Sequence, residues 1–139
     1  MTDADLVAKK LAEIETYVRE LRELADTAAM STDVKEQRFV LHTLQLAVQA
    51  ALDAASHVVS DERLGEPEKN AELFVLLSSA GWIPAELGSK LEKMAGFRNV
   101  LVHEYASVDL GIVRDILEKR LDDLLQFAGA VRSSLSGRR

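Results

Sequence analysis

The sequence predicts an all-α protein, a single antiparallel bundle of about five helices in which residues 1–139 form one domain. Three observations predict this class. The 139 residues include only two prolines, apolar residues recur every three or four positions, and the apolar–polar alternation of a half-buried strand is scarce. Apolar residues make up 47% of the chain, which is enough for a hydrophobic core and excludes general disorder.

The first predicted helix spans residues 3–29. An apolar stripe at helical spacing runs along it, and charged residues occupy the opposite, solvated face; the stripe consists of Leu6, Leu11, Ile14, Val18, Leu21, Ala25 and Ala28. A second helix is predicted for residues 34–61, with Asp33 as its N-cap. Asp33 and Glu36 have the spacing of a capping box, in which two side chains satisfy each other's free backbone N–H groups.

The second helix is apolar almost all round, which predicts that it lies at the centre of the bundle. A narrow polar line nevertheless follows it, formed by His42, Gln45, Gln49, Asp53, Ser56 and Ser60, with His57 one turn beyond Asp53. Burying such groups without partners would cost about 1–3 kcal/mol each. The polar line therefore faces a cleft, a subunit interface or a functional site, or it is ordinary solvated surface.

Three shorter helices complete the prediction. Pro67 suits the first turn of a helix over residues 67–80, and Gly81 ends it. A fourth helix begins near Pro84 and runs to about residue 104; Gly88 and Gly96 lie inside it, each at a cost of about 1 kcal/mol relative to alanine. A fifth helix covers residues 110–135, and residues 133–139 form a small, polar and basic end that is expected to fray.

Candidate functional residues concentrate at the end of the fourth helix, in residues 97–105. Arg98 and Tyr105 are seven positions apart and project within about 20° of each other on a regular helix. His103 follows Arg98 by five positions, about 140° round the axis, so one straight helix does not direct both side chains at one point. Either the helix unwinds near His103, or another surface completes the site. Asn99 and His103 are spaced to touch.

The composition limits the classes of partner. The chain has no cysteine, so disulfides and thiolate metal sites are excluded, and the three histidines lack the spacing of a metal site. No apolar run approaches 18 residues and no signal peptide is evident, which predicts a cytoplasmic protein without a membrane span. The net charge of −6 disfavours broad electrostatic binding of nucleic acid, so RNA would need a local basic patch or a dimer cleft.

These residue types suit RNA cleavage without a metal or cofactor. Histidine can act as base or acid near neutral pH. The planar guanidinium of arginine can bind phosphate oxygens through two hydrogen bonds, and tyrosine can donate a hydrogen bond or stack on a base. One histidine cannot easily act on both sides of one phosphate, but a twofold dimer would bring two sets together.

The residues Arg98, Asn99, His103 and Tyr105, which we call the signature, match the pattern R-N-x-x-x-H-x-Y of HEPN domains. The flanking segments, residues 94–97 and 100–102, resemble the HepT branch of that family. The resemblance covers essentially the whole chain and is strongest over residues 91–105.

The resemblance implies the toxin of a type VII-like toxin–antitoxin system: a homodimeric, metal-independent endoribonuclease with its active site in the dimer cleft, acting on RNA such as tRNA or mRNA. Arg98 would bind phosphate, His103 would transfer protons and Tyr105 would assist. A nucleotidyltransferase antitoxin would attach AMP to Tyr105. Asn99 and Asp53 are supporting candidates; in particular, Asp53 would orient Arg98 or His103 from the polar line.

Two alternatives remain from the sequence. A non-catalytic HEPN module that binds a nucleotide or docks a nucleotidyltransferase is consistent with the acidic charge. A helical bundle with only an assembly role would require the signature to be incidental. An isolated histidine or arginine on a helix is usually structural, so the hypothesis of catalysis depends on the joint occurrence of the signature residues.

Overall fold

Six helices form the part of the chain that the computed structural model describes, residues 2–103 and 107–137, with only the backbone described at residue 103. They are α1 (Ala4–Leu24), α2 (Val34–Asp61), α3 (Glu72–Ser79), α4 (Ala85–His103), α5 (Leu110–Lys119) and α6 (Leu121–Gly137). No strand occurs within these ranges. The predicted all-α class is confirmed, and the predicted bounds of the second helix agree with those of α2.

Helices α1 and α2 run antiparallel along their whole length. At one end, the backbone N–H of Asp3 donates to the carboxylate of Asp61 (3.1 Å). In the middle, Lys10 Nζ lies 3.6 Å from Asp53 Oδ2. At the other end, the N–H of Asp26 donates to the Glu36 carboxylate (2.7 Å). The partners come closer in sequence toward the connection, as antiparallel neighbours must.

The connection between α1 and α2 begins earlier than predicted. Ala25 has an extended backbone (φ −73°, ψ 132°), and the Asp26 carboxylate accepts hydrogen bonds from the N–H groups of Ala28 and Ala29. Such local side-chain bonds compete with helix formation. Asp33 caps α2 as predicted, accepting from the N–H groups two and three residues ahead. The capping box is incomplete, because Glu36 bonds to Asp26 instead of returning to Asp33.

The hydrophobic core lies around α2, which contacts α1, α3, α4 and α6. Its buried residues include Val40, Leu44, Ala51 and Val58, so the central position predicted for this helix is confirmed. Within the core, the buried rings of Phe74 (α3) and Phe127 (α6) meet edge to face, with 5.5 Å between their centroids, an arrangement that aromatic pairs prefer.

Glycine permits the close packing of α3 on α4. A Cβ built at Gly88 would lie 3.0 Å from the Ser78 side chain and 3.2 Å from the Phe74 carbonyl oxygen. α3 is shorter than predicted and begins at Glu72; the Glu72 carboxylate accepts a hydrogen bond from the N–H of Glu68 (3.1 Å) in the preceding turn.

The predicted fifth helix is two helices. Arg120 interrupts it with φ −118° and ψ −8°, and α6 then starts at Leu121 with Asp122 and Asp123 in its first turn. Acidic residues suit the positive N-terminal end of a helix, so these two carboxylates favour a new start at this point. Farther along α6, Arg132 bonds to both carboxylate oxygens of Glu15 on α1 (2.8 and 3.2 Å); this hydrogen bonding raises the pKa of Arg132. Within the described ranges, no helix is long and apolar enough to cross a membrane.

Candidate ribonuclease site

The signature begins on the core-facing side of α4. Leu91, Met94, Ala95 and Leu101 are buried on that side. Arg98 lies on the same stripe, seven, four and three residues after the first three and three residues before Leu101. An arginine therefore occupies a position where the pattern of the helix favours an apolar residue. A departure of this kind from the local pattern is typical of functional sites.

The surroundings of Arg98 restrain its guanidinium group without neutralising it. The side chain is half-buried, and its Nε is buried without a hydrogen-bond partner among the described residues. Its Nη1 lies 3.4 Å from the side-chain oxygen of Asn99, a long contact. No carboxylate of the described chain forms an ion pair with it. Most of the donor capacity of Arg98 therefore remains available to an anion.

The structure describes only part of the other signature residues. α4 continues to His103, its last helical residue, so the backbone keeps the regular helical separation between Arg98 and His103. The His103 side chain and all of Tyr105 lie outside the described residues, and so does any contact between His103 and Asn99. Because the backbone is helical through His103, unwinding before that residue does not account for the angular offset between Arg98 and His103. Completion of the site by another surface remains a prediction.

Asp53 has other partners in the described chain than those predicted. One carboxylate oxygen accepts from Gln49 Nε2 (2.8 Å), and the other lies 3.6 Å from Lys10 Nζ on α1. No described contact joins Asp53 to Arg98. Sequence reasoning missed Lys10, because its proximity depends on the register between α1 and α2. The role of Asp53 in supporting the site remains a prediction.

The polar line as a whole is partly solvated. His42, Ser56 and Ser60 are exposed, whereas Gln45, Gln49 and His57 are half-buried. Gln49 is satisfied by Asp53 one turn away. Within the described chain, the polar line is therefore a partly exposed polar face of α2.

Charge and shape distinguish α4 from the rest of the molecule. Its basic residues Lys90, Lys93 and Arg98 outnumber Glu86 and Glu92 by one, in a chain of net charge −6. Gly96, just before the signature, is exposed, and a Cβ there would meet no atom within 4 Å. The surface of α4 is thus locally less acidic than the rest of the molecule, and it is sterically open at Gly96.

Comparison with known proteins identifies the family. The family model described as ribonuclease HepT-like matches residues 14–131, a span that includes the whole signature. The chain belongs to the HepT-like ribonuclease family. The resemblance inferred from the signature and its flanks is confirmed.

Individual relatives of this HepT-like chain agree with that assignment. The mRNA nuclease HepT of Shewanella oneidensis is 29% identical over 130 residues, covering 93% of this chain and 98% of the relative. The tRNA nuclease HepT of Aphanizomenon flos-aquae is 35% identical over 75 residues, 54% of this chain and 51% of the relative. A solved structure of the tri-AMPylated Shewanella oneidensis HEPN toxin in complex with its MNT antitoxin superimposes with a TM-score of 0.85 at 29% identity, covering 96% of this chain and 99% of that one.

Proposed function

We propose that this HepT-like protein is a toxin of a toxin–antitoxin pair that cleaves RNA endonucleolytically, in the cytoplasm, without a metal ion. The observation that carries the proposal is the joint occurrence of Arg98, His103 and Tyr105 inside the span matched by the ribonuclease family model. The nuclease names of the relatives from Shewanella oneidensis and Aphanizomenon flos-aquae support it. Those two names mention mRNA and tRNA respectively, so both are candidate substrates.

Arg98 would hold the scissile phosphate. Its planar guanidinium can bind two phosphate oxygens at once, and no described residue competes for its Nε. A cation restrained in this way costs little reorganisation when charge develops on the phosphorane. The contact with Asn99 would limit the rotation of the guanidinium.

His103 would transfer protons. Abstraction of the ribose 2′-hydroxyl proton makes that oxygen attack the adjacent phosphorus, and the bond from phosphorus to the 5′-oxygen breaks once that oxygen receives a proton. The products are a 2′,3′-cyclic phosphate and a 5′-hydroxyl end. Base and acid must act on opposite sides of the phosphorus. In a twofold dimer, His103 of one protomer would act as the base and His103 of the other as the acid.

Tyr105 would be the point of control. A nucleotidyltransferase antitoxin would transfer AMP from ATP to the Tyr105 hydroxyl, releasing pyrophosphate. The resulting phosphodiester would place negative charge beside Arg98 and block phosphate entry. The solved complex of the AMPylated toxin from Shewanella oneidensis with its antitoxin supports this proposal for a chain that keeps the tyrosine.

The decisive experiment is cleavage of total cellular RNA and of purified tRNA in EDTA by wild type, His103→Ala and a matched control, His42→Ala. His42 is exposed on α2. We expect a loss of about 10²–10⁴-fold in His103→Ala only, with cyclic phosphate ends in the wild-type products. If wild type and His103→Ala cut equally, the assignment of His103 is wrong. If unmodified wild type does not cut, the docking module becomes the better hypothesis.

Control by the antitoxin is tested separately. The protein is incubated with ATP and an MNT-type nucleotidyltransferase antitoxin, and intact mass is measured for wild type, Tyr105→Phe and Tyr17→Phe. Tyr17, on α1, is the only other tyrosine. We expect AMP adducts on wild type and Tyr17→Phe, together with loss of RNA cleavage. Adducts on Tyr105→Phe would contradict the proposed acceptor.

A further inference from the structure

A cavity of about 310 Å³ opens between α4, α5 and the start of α6. This volume lies at the small end of the range for ligand sites, about 300–1,000 Å³. Phe97, which immediately precedes Arg98 in α4, lines the cavity, whereas Arg98 does not. The cavity therefore adjoins the proposed site for the scissile phosphate and is separate from it.

The cavity contains a buried carboxylate. Asp123, from the first turn of α6, lines the cavity with only 5% of its surface exposed. Its Oδ2 is buried and has no hydrogen-bond partner among the described residues. Burial raises the pKa of this carboxyl, although the charges of Lys90 and Arg120 oppose the shift. An unsatisfied buried acceptor is costly to retain, so its position in an open cavity suits a ligand with N–H donors.

The cavity is also locally basic. Three cationic residues, Lys90, Lys93 and Arg120, line it together with two acidic residues, Asp115 and Asp123, an excess of one positive charge in a chain of net charge −6. Within the described chain, neither Lys93 nor Arg120 forms an ion pair. These two charges are available to an anionic group such as phosphate.

The remaining lining is apolar and includes an aromatic ring. It consists of Met94 and Phe97 from α4 and Ile112 and Ile116 from α5. A flat, apolar wall of this kind suits a nucleobase, which proteins commonly stack on aromatic side chains. The cavity therefore combines a carboxylate without a described hydrogen-bond partner (Asp123), an aromatic ring (Phe97) and two cations without a described ion pair (Lys93 and Arg120). Together these groups are complementary to one nucleotide.

We infer that this cavity binds a guanine nucleotide of the RNA substrate. The Asp123 carboxylate accepts hydrogen bonds from N1–H and the N2 amino group of the base, Phe97 lies against its ring, and Lys93 and Arg120 contact its phosphate. Guanine is selected because its Watson–Crick edge presents two adjacent N–H donors to one carboxylate. Adenine and cytosine present a donor beside an acceptor, and uracil a single N–H between two carbonyls. As a substrate subsite, the cavity rests on the proposed ribonuclease function.

The first test measures binding of 5′-monophosphates to the full-length protein by isothermal titration calorimetry. GMP is compared with AMP, CMP and UMP, and with IMP, whose base lacks only the N2 amino group of guanine. We expect GMP to bind about tenfold or more tightly than IMP, the effect of losing one partner of a two-point contact. Equal affinity for GMP and IMP, or no binding of GMP at millimolar concentration, would overturn the inference.

A pair of adjacent carboxylates provides the matched variants. Asp123→Asn replaces an acceptor by an amide of the same shape and should abolish the preference for GMP over IMP. Asp122→Asn removes the same charge one residue earlier, from an exposed position, and should retain that preference. An unchanged preference in Asp123→Asn would refute the role of Asp123. If that variant fails to fold, the ratio of GMP to IMP affinity on wild type decides the question.

The binding test is independent of catalysis. A preference for GMP in a protein that cleaves no RNA would overturn the ribonuclease proposal and leave a guanine-nucleotide site. RNA cleavage by a protein that binds all four nucleotides equally would support the ribonuclease proposal and overturn the guanine site. A third measurement relates binding to cleavage. Wild type should cut an RNA in which one guanosine is replaced by inosine more slowly at the neighbouring phosphate than it cuts the unmodified RNA. Asp123→Asn should cut both RNAs at the same rate.

Discussion

Arg98 and Asn99, neighbours on α4, are joined by a single long hydrogen bond of 3.4 Å from Nη1 to Oδ1, while the buried Nε of Arg98 has no partner among the described residues. A structural arginine at the edge of a core is normally paired with a carboxylate or with backbone carbonyls. Among the described residues, Arg98 finds only one neutral oxygen, that of Asn99. This relationship is what makes Arg98 a candidate for binding an external anion.

Replacement of Arg98 by lysine separates charge from geometry. Arg98→Lys keeps the positive charge but loses the planar, two-point contact with phosphate. We expect RNA cleavage to fall by about 10²–10³-fold, with little change in melting temperature because no described ion pair is broken. The measurements are cleavage rates on one RNA and thermal melting by circular dichroism. Near-normal cleavage by the lysine variant would show that charge alone suffices.

The partners of Asp53 predict a small structural effect. Asp53 and Lys10 are more than a third and about a quarter exposed, respectively, and partly exposed ion pairs stabilise proteins by about 0–1 kcal/mol. Asp53→Asn and Lys10→Met should each lower the free energy of unfolding by no more than about 1 kcal/mol, as measured by urea denaturation. If Asp53→Asn alone also reduces RNA cleavage strongly, Asp53 supports the site in the assembled protein as the sequence predicts.

Two glycines of α4 should respond oppositely to alanine. Gly88→Ala forces a methyl group against Ser78 and the Phe74 carbonyl and should destabilise the protein by about 1–3 kcal/mol. Gly96→Ala adds a methyl group in open space and should stabilise the helix by up to about 1 kcal/mol.

The Gly96→Ala variant also tests whether another molecule packs closely beside the signature. Urea denaturation measures both effects, and size-exclusion chromatography with light scattering follows the oligomeric state. If Gly96→Ala instead weakens self-association or cleavage, a second protomer or the RNA backbone packs directly on this glycine. A stabilising Gly88→Ala would contradict the close packing of α3 on α4.

The buried carboxylate makes stability depend on pH. Burial raises the pKa of Asp123 above its ordinary value of 3.8, so the folded state binds the proton more tightly than the unfolded state. The free energy of unfolding therefore falls as pH rises from 3.8 through the folded pKa, and the penalty stays constant above it. Asp123→Asn should melt at a higher temperature than wild type at pH 7, and the difference should shrink as the pH is lowered through that window.

Melting curves of wild type, Asp123→Asn and Asp122→Asn between pH 4 and pH 7 measure this effect. Asp122 is exposed, so its variant controls for the loss of one negative charge. A lower melting temperature for Asp123→Asn at pH 7 would mean that the carboxylate is stabilised in the folded protein. A gain in stability together with loss of nucleotide preference would be the usual compromise between stability and function.

Much of the fold follows from local sequence. Apolar periodicity predicts which segments are helical, although it merges α5 and α6 into one helix. The N-cap Asp33 sets the start of α2, and both effects act within a few residues. The signature is equally local: Arg98, His103 and Tyr105 lie within eight positions, and the family assignment depends on them and their flanks. The ends of α1 and α3 were predicted less well, since they depend on side-chain bonds to particular backbone groups, from Asp26 and Glu72.

The tertiary structure decided what depends on distant parts of the chain. The register of α1 against α2 pairs Asp53 with Lys10. The break at Arg120 separates α5 from α6, whose first turn places the buried Asp123 in a cavity that Lys90 and Phe97 also line. The apolar periodicity of residues 110–135 does not indicate a break at Arg120, because apolar residues continue at helical spacing on both sides of it. The sequence by itself determined the helices and the signature, through local propensity and spacing. Only packing decided which charges are paired, because pairing requires residues far apart in sequence to meet.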